Sequence, residues 1–161
     1  MNDQPDDLET LLHRSFRYAL SLVHNQDHAQ DLVQEACVKI SRNNGPWHIG
    51  YIITTIRHCY IDQYHRGKHI QVESINTQDL VGEEDVPHPP DSELASALQQ
   101  LRPDERELLY LSIVEEYSAN EIAKLTHKPR GTILSILHRT KKKLRQILAK
   151  EETDQADERT A

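Results

Sequence analysis

Residues 118–145 contain a cationic and hydrogen-bonding pattern that is typical of DNA recognition. Ser118 and Glu121 have the spacing of a capping box, which predicts the start of a short helix. Pro129 suits the first turn of a following helix, because a missing N–H costs little there. At about 100° per residue, that second helix has an apolar stripe and a polar one. The polar stripe carries Ser135, His138, Lys141, Lys142 and Arg145. Because cations bind phosphates and short polar groups read base edges, we predict a DNA-binding helix-turn-helix.

The charge is distributed unevenly along the chain, although the formal net charge is −7. From Lys124 to Lys150 there are nine basic residues and no acidic one. The segment 71–93 carries seven acidic residues and neither Lys nor Arg. An ordinary solvated helix face is the alternative interpretation of the basic run. The capped helix and turn before it favour DNA binding, which should weaken steeply as salt is added.

Length and composition limit the class of protein. With 161 residues, 37% apolar residues, one Phe and one Trp, the chain forms either one domain or two small ones with modest cores. No stretch approaches the roughly 20 apolar residues of a membrane span, and no basic-then-apolar leader opens the chain. We therefore expect a cytoplasmic protein. Cys37 and Cys59 match no metal-ligand spacing and are expected to be reduced packing residues, with a regulatory disulfide as the alternative.

Helical periodicity dominates and no run alternates as a half-buried strand would, so we predict an all-α fold of two small helical domains. The first, residues 8–68, contains three helices: one over 8–24, one capped by Asp27, and one from Trp47 to Arg66 that stops before Gly67.

A flexible acidic linker is predicted for residues 69–91, which include the cluster Pro87-His88-Pro89-Pro90. The second domain covers 92–150, with a cap at Asp91 or Ser92, a helix through Leu94, Leu98 and Leu101, another through Leu108, Leu111 and Val114, and the helix-turn-helix. Residues 151–161 are acidic and polar, and we expect a disordered tail.

Two groups of side chains in the first domain have chemistry suited to binding. Asp31, Gln34 and Glu35 share the outward face of the second helix and offer an acid–amide cluster to a basic partner, although a solvated face is the alternative. Near the third helix lie aromatic rings on which an extruded base can stack, and cations that can contact it. The rings are Trp47, Tyr51, Tyr60 and Tyr64, and the contact candidates are Arg57, His58 and Arg66.

Two structural alternatives remain for these rings. Tyr60 and Tyr64 lie on the apolar stripe and are more simply interpreted as core residues. Trp47 has the position of a hydrophobic staple at a helix start.

Catalytic and metal-binding patterns are not found in the sequence. His24 and His28 have the i, i+4 spacing of a ligand pair, but they straddle a break between helices, and no Cys, Asp or Glu cluster completes a ligand set. There is no Gly-rich phosphate loop and no nucleophile–base arrangement. We therefore predict no metal, no cofactor and no enzymatic activity.

Both domains resemble the two conserved domains of extracytoplasmic-function sigma factors in the sigma-70 family. Residues 27–36, Asp-His-Ala-Gln-Asp-Leu-Val-Gln-Glu-Ala, resemble the segment that docks on the clamp helices of the RNA polymerase β′ subunit. The resemblance implies that the polymerase core is contacted by Asp31, Leu32, Gln34 and Glu35.

The third helix and the end of the chain carry the rest of this resemblance. Ile56-Arg57-His58 followed by Ile61-Asp62 resembles the helix that engages and melts the −10 element. The implied −10 residues are Trp47, Tyr51, Arg57, His58, Asp62 and Arg66. Leu101-Arg102-Pro103 with Arg106, then Glu121-Ile122-Ala123, Gly131-Thr132-Ile133 and His138-Arg139, resembles the domain that reads the −35 element and touches the β flap. The implied −35 residues are Arg130, Thr132, Leu134, Ser135, His138, Arg139 and Lys142.

The chain departs from the family pattern at several positions, which include Tyr51-Ile52 in place of Trp-Leu, a shorter loop over 43–50 and Ile136 at a commonly basic position. His58 stands where Asn is usual, which makes the preferred −10 sequence non-transferable. His127 replaces the usual turn glycine and predicts a positive φ. Leu134 occupies a position that is commonly basic, where it can contact a thymine methyl group.

The resemblance implies a sigma factor that binds core RNA polymerase and promoter DNA and is controlled by an anti-sigma factor. Two alternatives remain open. One is a stand-alone helix-turn-helix regulator, which leaves the Asp31–Glu35 pattern unexplained. The other is a sigma-like protein that sequesters polymerase or an anti-sigma factor without initiating transcription.

Overall fold

The computed structural model describes residues 7–71 and 93–160, with the side chains of 7–67, 93–150 and Thr153. Within these residues the secondary structure is entirely helical, which confirms the predicted all-α fold. The helices are α1 Leu8–Val23, α2 Gln26–Arg42, α3 Ile49–Gln71, α4 Glu93–Gln99, α5 Pro103–Ile113, α6 Ala119–Thr126 and α7 Arg130–Thr160. The chain divides into two compact units, Met1–Val86 and Pro87–Ala161.

The first unit is a three-helix lobe in which α1, α2 and α3 pack against one another. Its core consists of apolar side chains at helical spacing, such as Leu22, Leu32, Ile40, Ile52 and Ile56, which are almost fully buried. Asp7 caps α1 by accepting a hydrogen bond of 2.7 Å from the Thr10 N–H.

The cap of α2 differs from the sequence prediction. Asn25, and not Asp27, accepts the hydrogen bond from the His28 N–H at 2.8 Å. The extended backbone of Asn25 places its side-chain oxygen over the first turn, whereas Asp27 already lies inside the helix. There its carboxylate still interacts favourably with the positive end of the helix dipole.

Two helices are longer than the sequence predicted. α3 continues through Gly67 to Gln71, because a glycine inside a helix costs only about 1 kcal/mol and does not by itself end it. α7 continues to Thr160, where a disordered tail was predicted from residue 151. That segment contains no proline or glycine, and its Glu, Gln and Ala residues favour the helix. The predicted linker beyond Gln71 and the predicted caps Asp91 and Ser92 lie outside the described residues.

The second unit packs α4, α5 and α6 against the long helix α7. Leu101, Leu108, Leu111, Ile122 and Ile133 form its core. Leu94 and Val114, which the sequence analysis placed in the first two helices of this domain, are exposed. Leu94 lies in the first turn of α4, and Val114 is the C-cap of α5, so each is at a helix end.

Candidate functional site

The helix-turn-helix consists of α6 and α7, and its predicted capping box is present. The Ser118 hydroxyl accepts a hydrogen bond from the Glu121 N–H at 3.3 Å, and Glu121 Oε2 accepts one from the Ser118 N–H at 2.8 Å. The Ser118 hydroxyl also donates to Glu121 Oε2 at 2.7 Å, and this bond together with the one from the Ser118 N–H lowers the pKa of the Glu121 carboxyl group. His127 ends α6 with φ 54° and ψ 33°, the left-handed conformation that its replacement of a turn glycine predicted.

After the turn, α7 packs with its apolar stripe against the other helices of the second lobe. Of the residues on the predicted stripe, Ile133, Ile136, Leu137 and Thr140 are buried, whereas Leu144 and Ile147 are half-buried. The opposite side of α7 is exposed and carries every residue predicted to contact the −35 element. We call this surface the α7 face, and it consists of Arg130, Thr132, Leu134, Ser135, His138, Arg139 and Lys142. An exposed helix face that joins cations, hydroxyl groups and one leucine can bind phosphates and base edges together.

An ion pair that the sequence analysis missed holds α7 against α5. Lys143 Nζ donates to Glu105 Oε2 at 3.1 Å, and the same oxygen accepts the Arg102 N–H at 2.9 Å. Burial would raise the pKa of Glu105, but the hydrogen bonds and the positive charges of Lys143 and Arg102 outweigh it and lower the pKa. Lys143 therefore belongs to the scaffold and not to the α7 face. In the sequence, Lys143 follows Thr140 of the apolar stripe by three residues. This spacing places Lys143 beside the buried side of the helix and was the signal that could have identified it.

The predicted acid–amide cluster on α2 is only partly exposed. Asp31 and Gln34 face solvent, whereas Leu32 is 0% exposed. Leu32 was predicted to contact polymerase, and its complete burial corrects that prediction, since a core side chain cannot touch a partner. Glu35 is intermediate, with 30% of its side chain exposed.

Glu35 is the centre of a polar network between α2 and α3. Lys39 Nζ lies 3.1 Å from Glu35 Oε1, the Gln63 amide donates to Glu35 Oε2 at 2.9 Å, and Arg66 lies 4.0 Å from Glu35 Oε1. Burial would raise the pKa of Glu35, but these hydrogen bonds and charges outweigh it, so the pKa is lowered. Lys39 also lies 3.6 Å from Asp62.

This network brings together residues that were predicted for two different tasks. Glu35 was predicted to bind polymerase, and Asp62 and Arg66 to bind the −10 element. Gln63, which was not predicted, connects the network to the start of α2, because its Oε1 lies 2.8 Å from His28 Nε2. The amide oxygen only accepts, so this contact is a hydrogen bond in the His28 tautomer that has its proton on Nε2. Lys39 was detectable from its i, i+4 spacing to Glu35.

The rings predicted to stack on a base lie on the surface of the first lobe. Trp47 is 44% exposed and Tyr51 is 36% exposed. Tyr64 is 53% exposed, so its interpretation as a core residue is wrong, whereas Tyr60 is half-buried. The candidate contacts His58, Asp62 and Arg66 are exposed and Arg57 is half-buried.

The cysteines and histidines form no further site among the described residues. Cys37 is half-buried and Cys59 fully buried, and both are free thiols whose pKa is raised by burial. In the described ranges, no group of three or more His, Cys, Asp or Glu residues is arranged to hold a metal ion. Within the same ranges, none of the helices combines the length and hydrophobicity needed to span a membrane.

Comparison with known proteins identifies the family. Residues 91–144 match the family model of sigma-70 region 4. The sigma factor CarQ of Myxococcus xanthus is 30% identical over 144 residues, which cover 84% of this chain and 83% of CarQ. SigV of Bacillus subtilis is 29% identical, with 85% of this chain and 86% of SigV covered. The extracytoplasmic-function sigma factor SigE of Mycolicibacterium smegmatis is 30% identical over 89% of this chain, which spans 60% of the length of SigE.

The fold has a counterpart among solved structures. The sigma factor RpoE from Bartonella quintana, solved in complex with the anti-sigma factor NepR, superposes with a TM-score of 0.68. The two chains are 23% identical, and the match covers 89% of this chain and 94% of RpoE, which establishes similarity of fold. Together, the CarQ identity, the region 4 match and the helix-turn-helix of α6 and α7 show that the chain belongs to the extracytoplasmic-function sigma factors of the sigma-70 family.

Proposed function

We propose that this protein binds core RNA polymerase and directs it to promoters by recognising a −35 and a −10 element, without enzymatic activity of its own. One observation carries the proposal: the chain has an exposed cationic helix face in the second lobe and an exposed acid–amide pair, Asp31 and Gln34, in the first. A stand-alone DNA-binding regulator requires only the cationic face.

The −35 element is the proposed ligand of the α7 face. Lys142, Arg139 and Arg130 supply charge for phosphates, and Ser135 and His138 supply hydrogen-bonding groups for base edges. Leu134 is exposed and is suited to the methyl group of thymine. Because α7 is held to α5 by Lys143 and Glu105, this face is presented on a rigid support.

Polymerase docking is proposed for the exposed side of α2. Asp31 and Gln34 can pair with basic and polar groups of the β′ clamp helices, and Glu35 joins them through the part of its carboxylate that remains exposed. The neighbouring end of α3 and the exposed rings then meet the −10 region. Opening of the duplex is aided by surfaces on which unpaired bases stack, and Trp47 and Tyr51 are such surfaces.

Two further partners follow from the family. The second lobe is expected to contact the β flap of polymerase. An anti-sigma factor is expected as the regulator, since the fold counterpart RpoE was solved with one. The described residues include exposed Leu94, Ile113 and Val114 on the second lobe, which offer apolar surface to such partners.

Transcription from a random-sequence template library tests the proposal. Purified protein is mixed with core polymerase, and the transcript start sites are mapped. We expect starts that share one motif about 10 and another about 35 base pairs upstream, as the definition of these elements requires. Polymerase binding without transcripts would identify a sequestering protein. Duplex binding without polymerase association would identify a stand-alone regulator.

A double variant provides the internal control. Asp31→Ala with Gln34→Ala should abolish specific transcripts, because both side chains lie on the proposed docking surface. Ser41→Ala alters an exposed polar residue near the C-terminal end of α2, outside residues 27–36, and serves as the matched variant. Equal transcript yield from the double variant and the wild type would refute docking through this face.

A further inference from the structure

The loop between α2 and α3 places a glycine against an aromatic ring. α2 ends at Arg42, and Asn44 adopts a φ of 49°, which turns the chain back toward the helix. The Gly45 N–H then donates a hydrogen bond of 2.9 Å to the carbonyl oxygen of Ile40. Residue 45 is therefore fixed by its backbone to the C-terminal turn of α2.

The ring of Tyr51 occupies the space where a side chain at position 45 would stand. A Cβ atom on Gly45 would lie 2.7 Å from Tyr51 Cε1, 3.1 Å from the hydroxyl oxygen and 3.2 Å from Cζ. The first distance is far below a normal carbon–carbon contact of about 3.5–4.0 Å. The φ of Gly45 is not positive, so its backbone conformation does not call for a glycine. The close approach of the Tyr51 ring is the reason for a glycine at this position.

The other side of Tyr51 is held by the start of α3. The Tyr51 N–H donates to the His48 carbonyl oxygen at 3.1 Å and lies 3.2 Å from His48 Nδ1. The two rings meet edge to face with centroids 6.2 Å apart. The backbone of Tyr51 is thus anchored, so a side chain at position 45 would have to be accommodated by rotation of the tyrosine ring.

We propose that Gly45 is a positioning residue, which sets the ring of Tyr51 as the surface on which one unpaired base of the −10 region stacks. This inference rests on the proposed function and deepens it. Tyr51 keeps 36% of its surface exposed while packed on Gly45, and Trp47 is exposed two residues after that glycine. The loop therefore presents two rings, of which Tyr51 is held in a defined orientation by contacts on both sides. Base–aromatic stacking depends on the orientation of the ring, and a displaced ring loses it.

The test uses a pre-melted promoter duplex and the complete polymerase complex. The promoter is taken from the random-library selection, and 2-aminopurine replaces each unpaired base of the −10 region in turn. Its fluorescence is quenched when it stacks on a ring. For the wild type, we expect strong quenching at one position. Gly45→Ala should abolish the quenching there and weaken duplex binding roughly 5- to 100-fold, the range that one base–aromatic stack supports.

Gly67→Ala is the matched control, because a Cβ on Gly67 meets no atom within 4 Å. It should leave both the quenching and the affinity at wild-type levels. Tyr51→Ala removes the ring, so Gly45→Ala should cause no additional loss in that background. Equal losses from Gly45→Ala with and without the Tyr51 ring would overturn the proposal, as would unchanged quenching in Gly45→Ala.

Failure of the proposed function is recognised separately. If the wild-type complex yields no specific transcript, the same four variants are titrated as full chains with single-stranded oligonucleotides that contain 2-aminopurine. Quenching that Gly45→Ala removes only when Tyr51 is present would support the positioning role even then. Absence of quenching by the wild type in both assays would overturn it. A thermal melt followed by circular dichroism verifies that each variant is folded.

Discussion

Gln63 Nε2 donates a hydrogen bond of 2.9 Å to Glu35 Oε2, and this bond joins α3 to α2 at the surface of the first lobe. The carboxylate of Glu35 is therefore engaged within the lobe as well as partly exposed. Asp31, one helical turn earlier, is fully on the surface. The sequence placed both acids on one face of α2, but Glu35 bonds to α3 and Asp31 is exposed to solvent.

Substitutions should separate these two roles. Gln63→Ala is expected to lower the free energy of unfolding by about 1 kcal/mol, because it removes a hydrogen bond to a partly buried carboxylate. Asp31→Ala should change that free energy by less than about 0.5 kcal/mol while weakening polymerase binding about tenfold or more. Chemical denaturation and co-elution with core polymerase measure the two effects. A stability loss for Asp31→Ala as large as that for Gln63→Ala would contradict this division.

The ion pair between Glu105 and Lys143 should make the second lobe sensitive to acid. The pKa of Glu105 is lowered in the folded protein, so its stabilising contribution is complete above its ordinary value of 4.5 and is lost as the pH falls through the folded-state pKa. Glu105→Gln is expected to cost about 1 kcal/mol at pH 7, and this difference from wild type should shrink below pH 4.5.

Denaturation of the full chain at several pH values measures this difference. Glu116→Gln, at an exposed position, is the matched control and should stay within about 0.5 kcal/mol of wild type at pH 7. A difference for Glu105→Gln that is constant from pH 7 to pH 3 would show that the ion pair does not contribute.

Lys142 on the α7 face should contribute to DNA affinity through phosphate contact. Lys142→Ala is expected to weaken binding to −35 duplexes of every sequence and to reduce the salt dependence of binding by about one unit of slope. Lys150→Ala, two turns further along α7, is the matched control and should keep the wild-type slope. Binding titrations at several salt concentrations measure the slope, and an unchanged slope for Lys142→Ala would remove this residue from the interface.

Leu134 should affect base choice and not general affinity. Leu134→Ala is expected to cost about 1 kcal/mol on the preferred −35 sequence, through loss of one thymine methyl contact, and little on a duplex in which that thymine is replaced by uracil. Competition between the two duplexes measures the preference. If the variant lost equal affinity for both duplexes, the methyl contact would be ruled out.

His127 has a left-handed backbone that a glycine adopts without steric cost. His127→Gly is expected to raise the free energy of unfolding by roughly 0.5–1 kcal/mol, since relief of the strained φ of 54° exceeds the entropy that glycine adds to the unfolded chain. His127→Ala retains a Cβ atom and should give no gain. A variant series without a difference between glycine and alanine would show that the turn is not strained.

Much of this protein was determined by the sequence alone. The helices, the capping box of Ser118 and Glu121, the left-handed His127 and the cationic α7 face were predictable. These features depend on residues within about four positions of one another, because helix hydrogen bonds and helical periodicity act over that range. The same local rules misplaced the cap of α2 and the ends of α3 and α7, where neighbouring residues with similar propensities compete.

The tertiary structure decided which polar side chains are bound within a lobe and which are exposed to a partner. Glu35 meets Gln63 across 28 positions and Lys143 meets Glu105 across 38, and no local pattern specifies either pair. It also exposed Tyr64 and packed Tyr51 on Gly45. Such contacts depend on how whole helices pack, since packing brings together side chains that are far apart in the chain. The division of α2 into a supporting acid and an exposed one is therefore a property of the folded lobe.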